Sequence, residues 1–453
     1  MAQEYRRAKL RGKSFKGQDL TGADFSHSDI RGADFTNAIL IGANFSNTKA
    51  GLQRRWATII LLFSLLLSAL SGLMSAVGGS LIGFILVDSA RENLYVGLAS
   101  LIILSVFFLL SIRKGVLAAC VFLAVTIAIA VVTAVAWAGF VAVVWSGLAA
   151  TSDPREIAPI VALVATGTVA VIVTAVGAVI VTITAAISGA VAGIFAVTID
   201  VIVAGLLAGT VSVYAMMVNP VAGIIAGIVS ITLVILSAYV GCCAILEDKK
   251  QNFVRKIAIS FTNRYGTSFK NADLTDADFT QAKLKSANFS KAKVTRTNWF
   301  EIKQVHLATV TTTHLANFPM REVLVNKDLQ NKILDGWNLR GINLQGANLK
   351  DASFIGANLC ESNLRNADIS RAKLVRSQLH KADLRSANLT GAYVEDWSIT
   401  PQTKLHPINC EYIFLRVPTP EDPNPHRLPA NWEATFKEGE FNQFMNPLLK
   451  VTN

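Results

Sequence analysis

Large apolar residues recur every five positions at both ends of the chain, and a long stretch almost free of charge lies between them. Near the start the beat runs Leu10, Phe15, Leu20, Phe25, Ile30, Phe35, Leu40 and Phe45. It returns at Phe269, Leu274, Phe279, Leu284, Phe289 and Val294, and again from Leu344 through Phe354, Leu359 and Leu374 to Val394. A small residue usually stands two positions earlier, as at Ala23, Ala33, Ala43, Ala277 and Ala357, so most units read Ala-(Asp/Asn)-(Leu/Phe)-x-x.

A period of five suits neither ordinary element. On an α-helix five residues turn through about 500°, so successive Leu/Phe step about 140° and form no stripe. On a flat strand five is odd, and the large residues alternate faces. A coil with sides five residues long points every Leu/Phe and every small residue inward. The Asp/Asn between them is free to bond local turn backbone, which suits those side chains. Residues 300–326 interrupt the beat without changing its phase, as a loop or short helix leaving the coil. Trp337 and Trp397 break the small-residue rule near block ends.

Between the arms, residues 56–87, 94–112 and 116–146 carry no charge, and 159–245 carry only Asp200. A membrane span takes about 20 apolar residues, so the first three runs each predict one helix. The last run predicts three, with breaks at Ser188-Gly189 and Asn219-Pro220. Small-residue pairs at Gly79/Gly83, Gly189/Gly193, Gly205/Gly209 and Gly223/Gly227 predict close helix–helix approach in lipid.

Charge sets the domain map and the topology. The chain is 52% hydrophobic and 16% charged. Residues 1–55 hold ten Lys/Arg against five Asp/Glu, residues 247–453 hold 28 against 21, and the block between holds four against five. The expected organisation is N-terminal repeats over 1–48, a helical membrane bundle over 56–246 and repeats over 262–299. The insertion at 300–326, repeats over 327–400 and a Pro-rich capping tail over 401–453 follow. With six spans, Arg54, Arg55, Arg113, Lys114, Lys249, Lys250, Arg255 and Lys256 share one side. Asp88, Arg91, Glu92, Asp153, Arg155 and Glu156 take the other, with loops near 88–93 and 147–158. By the positive-inside rule both arms and both termini are then cytoplasmic. The short first arm, with little core of its own, is expected to dock on the later repeats.

The arms resemble the pentapeptide-repeat family. That resemblance implies a right-handed quadrilateral β-helix with four repeats per coil, so the expected fold is mixed: β-helical arms and a central α-helical transmembrane bundle. The runs at 339–349, 391–399 and 410–416 look like a C-terminal module of cyanobacterial pentapeptide proteins, which points to a plasma or thylakoid membrane. Some family members imitate DNA with an acidic surface and protect type II topoisomerases. Arms of net +5 and +7 have the wrong sign for that.

Candidate chemistry is sparse. Cys120, Cys242, Cys243, Cys360 and Cys410 form no CxxC motif and have no His at metal-ligand spacing, which suits a reducing compartment. No apolar leader precedes the repeats, so no cleaved signal peptide is expected. No Walker loop, HExxH or GxSxG occurs, and His27 and His380 fall on exposed repeat positions. No enzyme activity, cofactor or metal is expected. Asp200 is the candidate functional residue, about eleven residues from the expected break at Ser188-Gly189 and so near mid-membrane; an intramembrane carboxylate faces an ion path or a hydrogen-bond partner. The expected function is a membrane-anchored scaffold whose basic β-helix surface binds protein partners or anionic lipid. Dispersed Lys/Arg argue against nucleic acid. The alternative is a channel or transporter regulated by the β-helical arms, which a bundle with almost no polar lining disfavours.

Overall fold

The computed structural model describes residues 3–87, 91–128, 158–192, 194–246, 248–310, 314–437, 439–441 and 443–445. The chain forms two compact units: Met1–Gln53 with Gly266–Asn453, and Arg54–Tyr265.

The first unit is a solenoid. Parallel bridges join Glu4 to Asp24, Lys9 to Asp29, Ser14 to Asp34 and Asp19 to Ile39, each partner one coil of four repeats further on. Each corner closes when the small residue donates its N–H to the preceding beat carbonyl, as in Ala8 N to Tyr5 O at 3.1 Å. The residue just before that small one is left-handed, for example His27 at φ 58° and Asn37 at φ 58°. The Asp or Asn before each beat accepts from the N–H two residues on, as in Ser26 N to Asp24 Oδ1 at 2.8 Å and Cys360 N to Asn358 Oδ1 at 3.0 Å. At Thr48 and Ser362, where Thr or Ser replaces the small Ala, the hydroxyl donates to the beat carbonyl three residues back: Thr48 to Phe45 at 2.8 Å, Ser362 to Leu359 at 2.7 Å. These hydroxyls thus enter the core with a partner, whereas Ser28 Oγ is buried without one among the described residues.

The coil runs without loss of register across the helical unit. Asp34 pairs with Ser14 on one side and Ser268 on the other; Ile39, Asn44 and Lys49 likewise pair onward with Asp273, Asp278 and Lys283. Ser268 therefore holds the place an unbroken coil would give to Arg54. Two aromatic columns fill the interior and cross the same junction. One stacks Tyr5, Phe25, Phe45, Phe279 and Trp299 at 4.8–5.0 Å between ring centroids. The other stacks Phe15, Phe35, Phe269 and Phe289 at 4.9–5.1 Å. These spacings match the separation of neighbouring strands, about 4.8 Å. At the exit, Gly51 N donates to Thr267 Oγ1 at 2.8 Å, and Thr267 Oγ1 donates to Ile30 O at 2.8 Å. Gly51 has φ +118°, and a Cβ there would lie 1.9 Å from Lys285 O, so glycine alone fits this crossing.

The short strands β1 (Thr267–Ser268) and β2 (Ala287–Asn288) belong to this stack. Its repeats begin at Thr267 rather than 262, because the preceding residues are helical. The ladder runs on to Lys303 and Thr309, so the interruption is 310–326 rather than 300–326; Ile302 and Val305 are buried in the coil. A short helix, Phe318–Asn326, ends the interruption. A second stack starts at Asp328, and the break is crossed by Arg296 N to Gly341 O at 2.6 Å and Asn343 Nδ2 to Arg296 O at 2.8 Å. Its core is mainly Leu, with Phe354. The ladder also passes residue 400: Lys404, Asn409 and Phe414 pair with Asp383, Asn388 and Tyr393. This last coil holds one extra residue, inserted between Ser398 and Lys404. Then β3 (Ile413–Phe414) pairs antiparallel with β4 (Arg427–Leu428), and Phe441 and Met445 close the core end.

The second unit is helical: α1 (Arg54–Val87), α2 (Arg91–Lys114), α3 (described over Val116–Ala128), α4 (Ala158–Ala192), α5 (Ile194–Val218), α6 (Pro220–Ile245) and α7 (Asn252–Asn263). Among the described residues five helices, α1, α2, α4, α5 and α6, are long and apolar enough to cross a membrane. Asn219 caps α6 as expected, its Oδ1 accepting from Val221 N and Ala222 N with Pro220 in the first turn. The Ser188-Gly189 break does not occur; α4 continues to Ala192. Gly193, the loop at 147–157 and the rest of the third apolar run lie outside the described residues.

Helix α1 is central and packs on α4, α5 and α6. Its inward face is Ser64, Ser68, Ser71, Gly72, Ser75, Ala76, Gly79 and Gly83, while Leu62, Leu66, Leu70 and Val77 point out. Small residues inside and large apolar ones outside suit hydrocarbon surroundings and not water. Gly79 and Gly83 meet Ala226 and Ala222 of α6 at backbone distance, and Gly223 meets Met216 of α5; a Cβ at Gly205 or Gly209 would meet nothing within 4 Å. One end of the bundle collects the basic residues. Gln251 Nε2 donates to Ser111 O at 2.7 Å, which ties the α2–α3 turn to the start of α7, and Trp56 stacks on Tyr265 at 4.2 Å.

A disulfide tests the junction. Asn271 Nδ2 donates to Asn37 Oδ1 at 3.0 Å, from neighbouring coils. A Cα separation near 4.8 Å is within disulfide range. Asn37→Cys with Asn271→Cys should give a 37–271 linked peptide on mild oxidation, read by mass spectrometry. Asn37→Cys with Asn366→Cys should give none.

Candidate functional site

Asp200 lies in the second turn of α5, 3% exposed. Because the α4–α5 break falls after Ala192, the carboxylate is six residues into its helix and nearer the basic end than the middle. Ser64 Oγ of α1 donates to Asp200 Oδ2 at 3.0 Å and also lies 3.2 Å from Thr184 O of α4. Ser188 of α4 bonds the carboxylate as well. Ser68 Oγ donates to Asp200 O at 2.8 Å. Asp200 thus joins α1, α4 and α5 and is held by serines of the two neighbouring helices.

A polar seam continues from this node. Ser71 donates to Gly177 O, and Ser230 Oγ donates to Ser75 O at 3.2 Å. Thr174, Thr182 and Ser237 are buried beside it. The expectation of a bundle almost without polar lining is therefore corrected: the lining is hydroxyl rather than ionic. The signal was present in the sequence as Ser64, Ser68, Ser71 and Ser75, spaced four, three and four along one helix face. The Cβ of an alanine at Gly72 would lie 2.4 Å from Ala204 O, so the helices meet along this seam backbone to backbone.

In the solenoid unit, a cleft of ≈ 780 Å³ opens at the break between the stacks, lined by Thr295, His314, Asn317, Trp337 and Arg340. Its charged groups are engaged: His314 Nε2 is 3.2 Å from Arg340 O, and the Arg340 guanidinium pairs with Glu361 at 2.7 Å. Beside the break, Lys327 is 7% exposed, donates to Gln345 O at 3.0 Å and lies 5.6 Å from the Phe300 ring centroid. Burial lowers its ammonium to about 8. Burial of Asp29 works against ionisation, but hydrogen bonds from Arg31 and then Arg11 hold its carboxyl well below the usual range. Burial pushes the Cys410 thiol up to about 12, which leaves it unreactive at neutral pH. All five cysteines are free thiols. Among the described residues no group of three or more His, Cys, Asp or Glu is placed to hold a metal. His27 and His380 sit on the outer surface of separate stacks, far apart in the pairing order.

Square coils of five-residue sides, with a small residue and a Leu/Phe inside each, define a pentapeptide solenoid. The model for pentapeptide repeats matches in eight copies, at residues 6–37, 28–50, 265–298, 334–366 and 362–396. Those stretches of the chain are pentapeptide repeats. Among solved structures it is similar to a pentapeptide repeat protein from the Arabidopsis thaliana thylakoid lumen, at 31% identity over 16% of this chain and 62% of that one, TM-score 0.14. It is similar to Rfr23 from the cyanobacterium Cyanothece at 23% identity, covering 30% of this chain and 60% of that one, TM-score 0.14. A third is HetL from the cyanobacterium Nostoc, a protein involved in heterocyst differentiation regulation, at 21% identity over 33% and 74%, TM-score 0.11. The chain thus spans about three-fifths of the length of the first two. No curated protein matches it.

The Lys327 environment gives a pH signature. The folded ammonium titrates at about 8 and the unfolded one near the ordinary 10.5. Above pH 8 the unfolded state therefore binds more protons, and stability rises with pH. Cys410 acts oppositely once an exposed thiol would ionise, near 9. Between pH 8 and 9 the denaturation midpoint followed by tryptophan fluorescence should rise. Lys327→Met should reduce that rise by at most about 1 kcal/mol.

Proposed function

We propose that this protein is a non-catalytic, membrane-anchored pentapeptide-repeat scaffold, whose solenoid walls bind partner proteins or the lipid surface on the cytoplasmic side. The observation that carries this reading is the unbroken register between Lys49 and Lys283. It makes the helical bundle an insertion within one coil, so the bundle serves to hold a continuous solenoid at a membrane. Regular repeat walls are common binding surfaces.

The same register supports an even number of crossings. Gly51 and Thr267 are hydrogen-bonded neighbours, so the chain leaves and re-enters the solenoid at one place. Five spans would return it on the wrong side. Helix α3 starts beside Gln251 at the basic end, whereas α4 reaches that end only at its C-terminus, where Thr184 approaches Ser64. The six-span reading counts the apolar run that α3 begins as the sixth span. Lys and Arg gathered at that end favour a cytoplasmic orientation for both termini, in a plasma or thylakoid membrane.

The transport alternative draws on Asp200 and on Ser75 and Ser237, whose side-chain hydroxyls have no partner among the described residues. Against it stand the serine bonds to Asp200 and the backbone contacts along Gly72, Gly79 and Gly83, which occupy the space an ion path needs.

Two measurements test the reading. In sealed right-side-out vesicles, added protease should leave both repeat arms intact; cleavage of either arm overturns the six-span topology. In the native cell, deletion of residues 267–399 should abolish function, while Asp200→Asn should be nearly silent. Loss of function from Asp200→Asn alone, with insertion and repeat folding intact, would transfer the assignment to transport.

A further inference from the structure

Charge on the first stack is sorted by face. Pairing runs from Lys9 to Asp29 to Lys49, then to Lys283 and Lys303, so these residues form one outer column. Lys9, Lys49, Lys283 and Lys303 are all exposed. The last three stand in directly successive coils, at a strand spacing of about 4.8 Å. The corner after this column adds Arg11, Arg31 and Lys285. Its one carboxylate, Asp29, is taken by Arg11 and Arg31, both at 2.7 Å. The adjoining column reads Glu4, Asp24, Asn44, Asp278 and Asn298. Net positive charge is therefore concentrated on this wall, because Lys and Arg elsewhere on the stack are balanced by carboxylates such as Asp24, Asp273, Asp276 and Asp278.

Like charges placed directly opposite on neighbouring strands destabilise a sheet. Among the described residues Lys49, Lys283 and Lys303 have no carboxylate partner to relieve that repulsion. The buried Ile30, Ala50 and Leu284 behind the column hold it in place. An anionic surface laid along it removes the conflict.

Connectivity identifies that surface. Lys49 is five residues before Arg54, the first residue of α1. Five residues span at most about 18 Å, so the chain passes from the column into the first apolar helix without a long linker. Lysine ammonium groups are strongly hydrated point charges, suited to a diffuse headgroup layer more than to bidentate recognition of one ligand. We infer that the Lys9–Lys49–Lys283–Lys303 column lies on the anionic phospholipid headgroups of the membrane that holds the helices. This rests on the membrane-anchored reading and names its lipid partner.

Amine labelling of the full chain in nanodiscs tests it. One set contains phosphatidylcholine alone, the other phosphatidylcholine with phosphatidylglycerol. Acetylation of Lys49, Lys283 and Lys303, read by mass spectrometry, should slow roughly fivefold in the anionic set. It should recover at high salt, where surface attraction is screened. Lys270 and Lys373, on other walls, should label equally in both. The variant Lys49→Gln/Lys283→Gln should lose most of the protection at Lys303 and Lys9. Equal labelling of all lysines in the two sets overturns the headgroup assignment. Protection seen only in native membranes, and not in anionic nanodiscs, also overturns it and assigns the wall to an acidic protein. Failure to enter nanodiscs at all overturns the membrane reading itself, a result separate from uniform labelling.

Discussion

The main-chain ladder between successive coils is the constraint on which the molecule depends. Each side of a coil bonds to the side one coil away, and the pairing of Lys49 with Lys283 leaves no slack where the helical unit enters the chain. A one-residue slip would turn every Leu/Phe outward, which the two aromatic columns forbid because their rings stack at the same spacing as the strands. Gly51 and Thr267 then fix where the chain departs and returns. From that closure follows the common end of α1 and α7.

The helical unit obeys the opposite packing rule. The solenoid hides Phe and Leu, whereas the bundle hides Ser, Gly and Ala and turns Leu and Ile outward. In hydrocarbon, apolar contact between helices is gained against lipid tails of equal polarity, so close backbone approach and hydroxyl-to-carbonyl bonds decide which faces meet. Asp200 belongs to that logic. Its bonds to Ser64 and Ser188 give three helices a shared polar node, in a setting where an unsatisfied carboxylate would be costly.

Much of this was legible in the sequence because the signals are local. The five-residue beat, the Asp/Asn bonds to turn backbone and the Asn219-Pro220 cap each involve residues a few positions apart. Apart from the serine face of α1, which was written in its own spacing, the misses are nonlocal. Repeats are interchangeable in pattern, so nothing in residues 34–49 says that their next coil begins at Ser268. The ladder continues through Ile302 and Val305 although the beat fades there, because neighbouring coils dictate the backbone more strongly than side-chain size does. Asp200 could be found by its charge, but its partners come from other helices. The amphipathic α7, with Val254 and Ala258 buried, is too short for a span and falls mostly between the expected bundle and the expected repeats, where the pattern assigns no element.

Interrupting a coil has a consequence for biogenesis. At about 5–20 residues per second, a ribosome needs roughly 10–40 s to travel from Gln53 to Gly266. During that time the nascent N-terminal coils present an open edge and a bare pair of phenylalanine rings, Phe35 and Phe45, with no coil above them. The pairing that completes them closes a loop as long as the whole bundle, and its entropic cost falls sharply once the packed helices have brought Trp56 and Tyr265 together. Folding of the helical unit therefore lowers the cost of solenoid closure. A mutation confined to the lipid-buried helices can leave the first coils exposed to proteases without touching a single repeat.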